Sequence, residues 1–313
     1  MGATGLTDPA TIRQSALRME EPASPPSNAT KTVAAGRTDM QPQETARLRK
    51  RAWFEYNQPI SRKRTILLGV AVWVAFFGLW EVAAARNWIN PIFMPPPHRV
   101  VSTLYTMVLE RGFLADIAIS VYRILASFAL ACLVAVPLGI FMGSFRVVYA
   151  AVNPIVSAWR YLPAPAFIPL LLMWFGVGEG SKLALLFIGV IFFLITLIMD
   201  HTRAVRVEII ETAKTLGASR LQILSTIVLP AVAPNIVVSM RQMLAVSWTY
   251  LVIAEIIAST SGIGSVMMRG QRFLKVDEIM AGIVVIGILG LVFDYIFGFA
   301  HRILFPYVKS GER

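Results

Sequence analysis

Five charged side chains interrupt otherwise apolar stretches of this 313-residue chain: Arg123, Arg160, Arg241, Glu255 and Asp294. A charge at the centre of a membrane-spanning helix costs about 2.5–3.5 kcal/mol on insertion scales. Such groups are expected to face a wet pathway, a protein partner or one another rather than lipid. Arg160 lies on a proline-broken stretch and is the candidate contact for an anion. Tyr161, Pro163, Trp248 and Glu255 complete the candidate pathway set. Arg123 and Arg241 have a structural alternative, snorkelling or pairing. Other reactive groups are sparse. Cys132 is the single cysteine, so no disulfide or cysteine zinc site can form within the chain. His98, His201 and His301 show no ligand spacing, and no metal is expected. Gly176-x-Gly178-x-Gly180-Ser181-Lys182 lacks the order of a phosphate loop, and no strand precedes it. It reads as a tight turn. No other ATP-binding motif is present, so no cofactor and no catalytic residue is expected on this chain.

The elements that must position these groups are long and apolar. Apolar residues make up 56% of the chain and charged residues 15%, far from the soluble norm. Several runs reach the roughly 20 residues that cross a bilayer. Six spans are expected near 65–85, 117–142, 148–175, 182–199, 235–258 and 279–305. The third is broken by Pro154, Pro163, Pro165 and Pro169, freeing carbonyls near Ala158 to Leu162. Free backbone at membrane depth is tolerated only against protein or a wet cavity. Broken helices mark binding sites in many transporters, although a packing kink is the alternative. A short interfacial helix is expected over 98–112, and a polar loop with Gly262, Gly264 and Gly270 between spans five and six.

The net charge of +11 does not point to nucleic acid, because of where the charge lies. Arg47, Arg49, Lys50, Arg51, Arg62, Lys63 and Arg64 crowd before the first span, where the positive-inside rule places cytoplasmic charge. Residues 1–64 read as a disordered basic cytoplasmic tail, with a short amphipathic helix around Glu44 to Trp53 that meets lipid headgroups, or as an inert extension. They lack the pattern of a secretory signal. The six-span membrane domain covers 65–306 and a second cytoplasmic tail 307–313. Both termini fall on one side.

Between spans four and five, about 200–234, lies a polar island: Glu211-Thr212-Ala213-Lys214-Thr215-Leu216-Gly217, nine residues, then Ile227-Val228-Leu229-Pro230. Val205 to Leu216 puts Ile209, Ile210, Ala213 and Leu216 on one helical stripe. Glu208 and Glu211 lie early in it, where the helix dipole favours carboxylates. Gly217 suits the left-handed residue that ends a helix. A second helix over Ser219 to Val228 is expected to stop at Pro230 and Pro234. The spacing predicts two short helices meeting at a corner.

The spacing Glu-x-Ala-x-x-x-Gly-(nine)-Ile-x-Leu-Pro resembles the EAA loop of binding-protein-dependent ABC importer permeases. Met94-Pro95-Pro96-Pro97, Tyr161 to Leu170, Trp174 to Glu179, and Ala254 to Ile257 with Gly262-Ile263-Gly264 look like the nitrate/sulfonate/taurine/bicarbonate branch. Thr212 and Pro165 depart from the family's usual alanine and leucine. The resemblance covers about Leu79 to Tyr307. It implies an all-α, six-span fold of the type I importer class in a bacterial inner membrane. It implies a coupling loop built from Glu208, Glu211, Thr212, Ala213, Gly217, Ile227, Leu229 and Pro230. It also implies a homodimer, two ABC ATPase subunits that bring ATP and Mg, an extracytoplasmic solute-binding protein, and a small oxyanion or sulfonate as cargo. The alternative, a self-contained secondary transporter, needs an ion-coupling site and typically inverted repeats; neither is visible. An intramembrane enzyme would need a nucleophile–base or metal constellation, which is also absent.

Overall fold

The computed structural model describes residues 61–88 and 90–310. The chain divides into two units, Met1–Gly69 and Val70–Arg313. Of the first, only residues 61–69 are described, so the expected helix at Glu44 to Trp53 lies outside the described residues. Apart from the opening turns of the first helix, every described element belongs to the second unit.

Among the described residues every regular element is a helix. In chain order they are α1 (Arg62–Ala85), α2 (Pro97–Glu110), α3 (Phe113–Ser144), α4 (Arg146–Arg160), α5 (Ile168–Phe175), α6 (Glu179–Arg203), α7 (Val207–Thr215), α8 (Arg220–Ala258), α9 (Ile263–Arg272) and α10 (Val276–Leu304). Short 3-10 turns occupy Ala164–Phe167 and Pro306–Ser310. Five helices, α1, α3, α6, α8 and α10, are long and apolar enough to cross a membrane. The pair Arg146–Arg160 and Ala164–Phe175 passes the same test together but bends by 88°. Counting that pair as one span gives six.

The bend falls where Pro163 and Pro165 remove two closely spaced backbone donors. Not every carbonyl there is freed, however. Ala158 and Trp159 accept from the amides of Tyr161 and Leu162 at 3.3 and 3.1 Å. Tight i→i+3 bonds have replaced the lost α-helical ones.

The core is the triple packing of α3, α6 and α8, with Ile124, Ala131, Leu194, Ile198 and Leu251 almost fully enclosed. Close approach of α3 to α6 needs glycine. A Cβ on Gly139 would lie 2.8 Å from Ile198 Cβ and 3.0 Å from the Ile195 carbonyl. A second apolar cluster joins α2, α9 and α10 through Val100, Met107, Ile263, Val266, Ala281 and Val285. Helix α9 departs from the expected loop: its sequence is basic and polar, and its apolar residues Ile263 and Val266 are buried in this cluster.

Helix α8 also differs from expectation. It runs unbroken from Arg220 through Pro230 and Pro234. A π-helical stretch, Ile223–Val228, widens the turn, with Leu229 N–H donating to Leu224 O. That widening relieves the clash a proline ring makes with the carbonyl four residues earlier. Pro234 cannot donate to Pro230 O, and that carbonyl accepts instead from Tyr307 Oη at 3.0 Å. Both prolines are therefore accommodated inside one helix.

Candidate functional site

The loop between α6 and α8 is built as a sharp corner. Helix α7 ends in a Schellman arrangement: Ala218 N–H donates to Ala213 O at 3.0 Å and Gly217 N–H to Lys214 O at 2.9 Å. Gly217 sits at φ +82°, which glycine adopts without the penalty a side chain incurs. Helix α8 then opens with a capping box. Ser219 Oγ accepts from Gln222 N–H at 3.3 Å, and Gln222 Oε1 accepts from Ser219 N–H at 2.8 Å. The corner is thus fixed from both sides by local hydrogen bonds.

Only part of the expected apolar stripe anchors it. Ala213 is buried and Ile210 half-buried, and both pack with Ile223, Leu224 and Val228 on the core. Ile209 is exposed, and Leu216, at 82%, is among the most exposed apolar residues of the chain. The stripe is divided: Ile209 and Leu216 stand on the outer side, because α7 is only nine residues long and lies on one patch. Glu208, Glu211 and Thr212 are exposed, and Thr212 Oγ1 donates to Glu208 O at 2.8 Å. Ile227 packs partly on the core; Leu229 and Pro230 lie at the exposed start of the regular part of α8. Behind the loop, a cavity of about 550 Å³ is lined by Arg146, Arg203, Lys214, Arg220 and apolar neighbours.

The intramembrane charges fall into two groups and one single residue. Arg123 is fully buried and binds Glu179 bidentately, Nε to Oε2 and Nη2 to Oε1, both at 2.7 Å. Its Nη1 donates to Glu255 Oε1 at 2.6 Å and to Ser261 O at 2.9 Å. Glu255, also at zero exposure, accepts from Ser120 Oγ at 2.7 Å and Gly264 N–H at 2.8 Å. Lys182 Nζ reaches Glu179 at 2.8 Å. This cluster ties α3, α6 and α8 to the turn before α9. It also accounts for Gly262, at φ +101°: a Cβ there would stand 2.6 Å from Arg123 Nη1.

Two pathway candidates lie inside the bundle. Glu255 is saturated with structural partners and reaches no open surface. Trp248 is 5% exposed, packs at 6.0 Å on Phe293, and belongs to the core. Charge and aromatic character suggest a pathway, but helix packing turns both inward. Arg160 and Tyr161 remain together at the bend: the guanidinium lies 5.3 Å from the Tyr161 ring centroid, and Tyr161 and Pro163 are exposed. The third charge feature, Arg241 with Asp294, is visible in the sequence only as two separate intramembrane charges. The structure joins them into a bidentate pair between α8 and α10, Nε to Oδ1 and Nη2 to Oδ2. Opposite charges inside two apolar runs were the available signal for both groupings.

Among the described residues the layout is five long apolar helices, one bent pair and a structured polar corner between two of the spans. Residues 135–310 match the family described as binding-protein-dependent transport system inner membrane component. The chain is 33% identical over 245 residues to the taurine transport system permease protein TauC of Escherichia coli (strain K12), covering 77% of this chain and 88% of that protein. It is 28% identical over 244 residues to the putative aliphatic sulfonates transport permease protein SsuC of Bacillus subtilis (strain 168), covering 78% and 88%. It is 26% identical over 237 residues to the nitrate import permease protein NrtB of a Synechocystis strain, covering 73% and 85%. Its fold is similar to a chain of the inward-facing MetNI methionine ABC transporter, with a TM-score of 0.55 at 18% identity, over 64% of this chain and 97% of that one. The chain belongs to this family: it is a multi-pass membrane permease component of an ABC importer.

Proposed function

We propose that the corner between α7 and α8 is the element through which a separate ATPase subunit drives transport. The observation that carries this reading is the contrast within a few residues. Ala213 anchors the loop on the core, while Leu216 and Gly217 are exposed, and a Cβ on Gly217 would have no neighbour within 4 Å. A corner rigidly made yet bare is suited to fill a groove on another protein. ATP and Mg are then bound and used by that partner, two copies of which dock on a homodimer of this chain. A solute-binding protein meets the end bearing α2 and α9. Both chain termini and the corner share the cytoplasmic face, in keeping with the basic residues of these segments. ATP-driven closure of the ATPases moves the corners together and shifts the pathway between inward- and outward-open states. The cargo is a small oxyanion or sulfonate, a reading supported by the names of the taurine, sulfonate and nitrate relatives. Membership of the family leaves the secondary-transporter alternative without support.

The test is reconstitution in proteoliposomes with the ATPase and binding protein of its own system. ATP hydrolysis and uptake of taurine, ethanesulfonate or nitrate are expected only with all components present. Hydrolysis by this purified chain alone, at a rate tracking its concentration, would contradict the proposal.

A further inference from the structure

The Arg241–Asp294 pair is unlike the Arg123 cluster in one respect. It lies in the interior of two membrane-crossing helices, yet its side chains are 43% and 49% exposed. Lipid is a costly neighbour for both groups. The surroundings are mixed: the residues three and four positions away on α8, Val237, Val238, Leu244 and Ala245, are apolar, and polar groups lie farther round the helix. On α8 the exposed Asn235, Gln242 and Thr249 recur every seven residues and share one strip, about 100° round the helix from Arg241. On α10, Gly298 carries no side chain where it passes the guanidinium, and a Cβ there would lie 3.7 Å from Arg241 Nη1, in ordinary contact. Gly287 and Gly290 of the same helix have no neighbour within 4 Å.

We infer that Arg241 is an oxyanion station in the translocation pathway, with Asp294 as the internal anion that occupies it between transport events. The chemistry is an exchange of ligands. The planar fork of a guanidinium fits two oxygens of a carboxylate, a sulfonate or a nitrate in the same geometry. Asp294 holds the fork aligned and keeps the charge neutralised while the site is empty of cargo. An incoming anion displaces the carboxylate, which then lies alongside as a like charge and favours release. A neutral solute could not compete with Asp294. This inference deepens the proposed oxyanion or sulfonate cargo and rests on it, and it moves the anion contact from Arg160 at the bend to Arg241.

The test uses the full transporter with Cys132→Ala and Gly298→Cys, the latter at a position with room for a side chain. Two water-soluble thiol reagents of similar size are compared: a methanethiosulfonate bearing an ethylsulfonate group and one bearing an ethyltrimethylammonium group. Labelling by the sulfonate is expected to be about tenfold faster, because it can take the place of Asp294 on the guanidinium and be held beside the thiol, which the trimethylammonium cannot. Methanesulfonate should slow it. The preference should vanish in Arg241→Gln and in the neutral double variant Arg241→Gln/Asp294→Asn, which keeps the shape of the pair, and should persist in Arg241→Lys. No labelling by either reagent would overturn the inference, since the position would then be dry, as in a seam between copies. Equal rates, or a preference that survives Arg241→Gln, would overturn it as well. A wild-type system that carries only neutral solutes would sink the cargo reading separately, and is read from uptake rather than from labelling.

Discussion

At one end of the bundle, Arg123 draws α3, α6, α8 and the turn before α9 together through five directed hydrogen bonds to Glu179, Glu255 and Ser261. At the other end, the loop is held by an apolar patch of Ile210, Ala213, Ile223 and Val228, with Arg203 stacked over Tyr149 and Tyr307 reaching Pro230. A forked ion pair has one good geometry, whereas an apolar contact tolerates sliding. The difference locates a rigid reference frame at the charged end and a displaceable part at the loop end. The proposed conversion of movement at the loop into a rearranged pathway would use both.

The comparison breaks most severely at Arg123. Arg123→Ala would leave Glu255 buried without its cationic partner, a change worth about 3–5 kcal/mol. The expected outcome is a large fall in thermal unfolding temperature in detergent, with little folded protein recovered. A variant as stable as the parent would show that the charged end is not the frame. Gly262→Ala tests the same end more gently. It forces a side chain at positive φ against Arg123 and Glu255, with an expected cost of about 1–3 kcal/mol. The same measurement should place it between the parent and Arg123→Ala. The smallest effect is expected at the loop end, where Glu211→Ala removes an exposed carboxylate. Chain stability should move by less than about 0.5 kcal/mol. Binding-protein-stimulated ATP hydrolysis should drop only modestly, since an exposed ion pair with a partner is worth about 0–1 kcal/mol. A complete loss would assign Glu211 a larger part in docking.

Much of the loop was legible because its signals are local. Gly217 and Ser219 act on backbone groups within five residues, so a helix end and a helix start can be read from spacing. Pro163 and Pro165 announced the bend for the same reason. The prolines of α8 misled, because the π stretch that admits Pro230 and the Tyr307 hydroxyl that satisfies its carbonyl are respectively a register shift and a contact across 77 positions. Glu255 and Trp248 were hard to place for a different reason. Their cost in lipid was evident, but whether a costly side chain turns toward water or toward a partner depends on helix rotation, which periodicity does not fix in spans apolar on every side. Arg123 and Glu255 lie 132 residues apart, and only the packing of α3 on α8 brings them together.

The coupling role of the corner is tested most directly by Gly217→Trp, assayed in the complete reconstituted transporter. The substitution alters no span, and space is open around position 217, so insertion and folding should survive with a backbone penalty of about 1–2 kcal/mol at the positive φ. The bulky ring would fill the groove meant for the corner. Co-purification with the ATPase, stimulated ATP hydrolysis and solute uptake should therefore be lost together, while the isolated chain still folds, its unfolding temperature lowered by no more than about 2–8 °C. A Gly217→Trp transporter that still retains its ATPase and takes up solute at the parental rate would contradict the assignment of this corner as the coupling element.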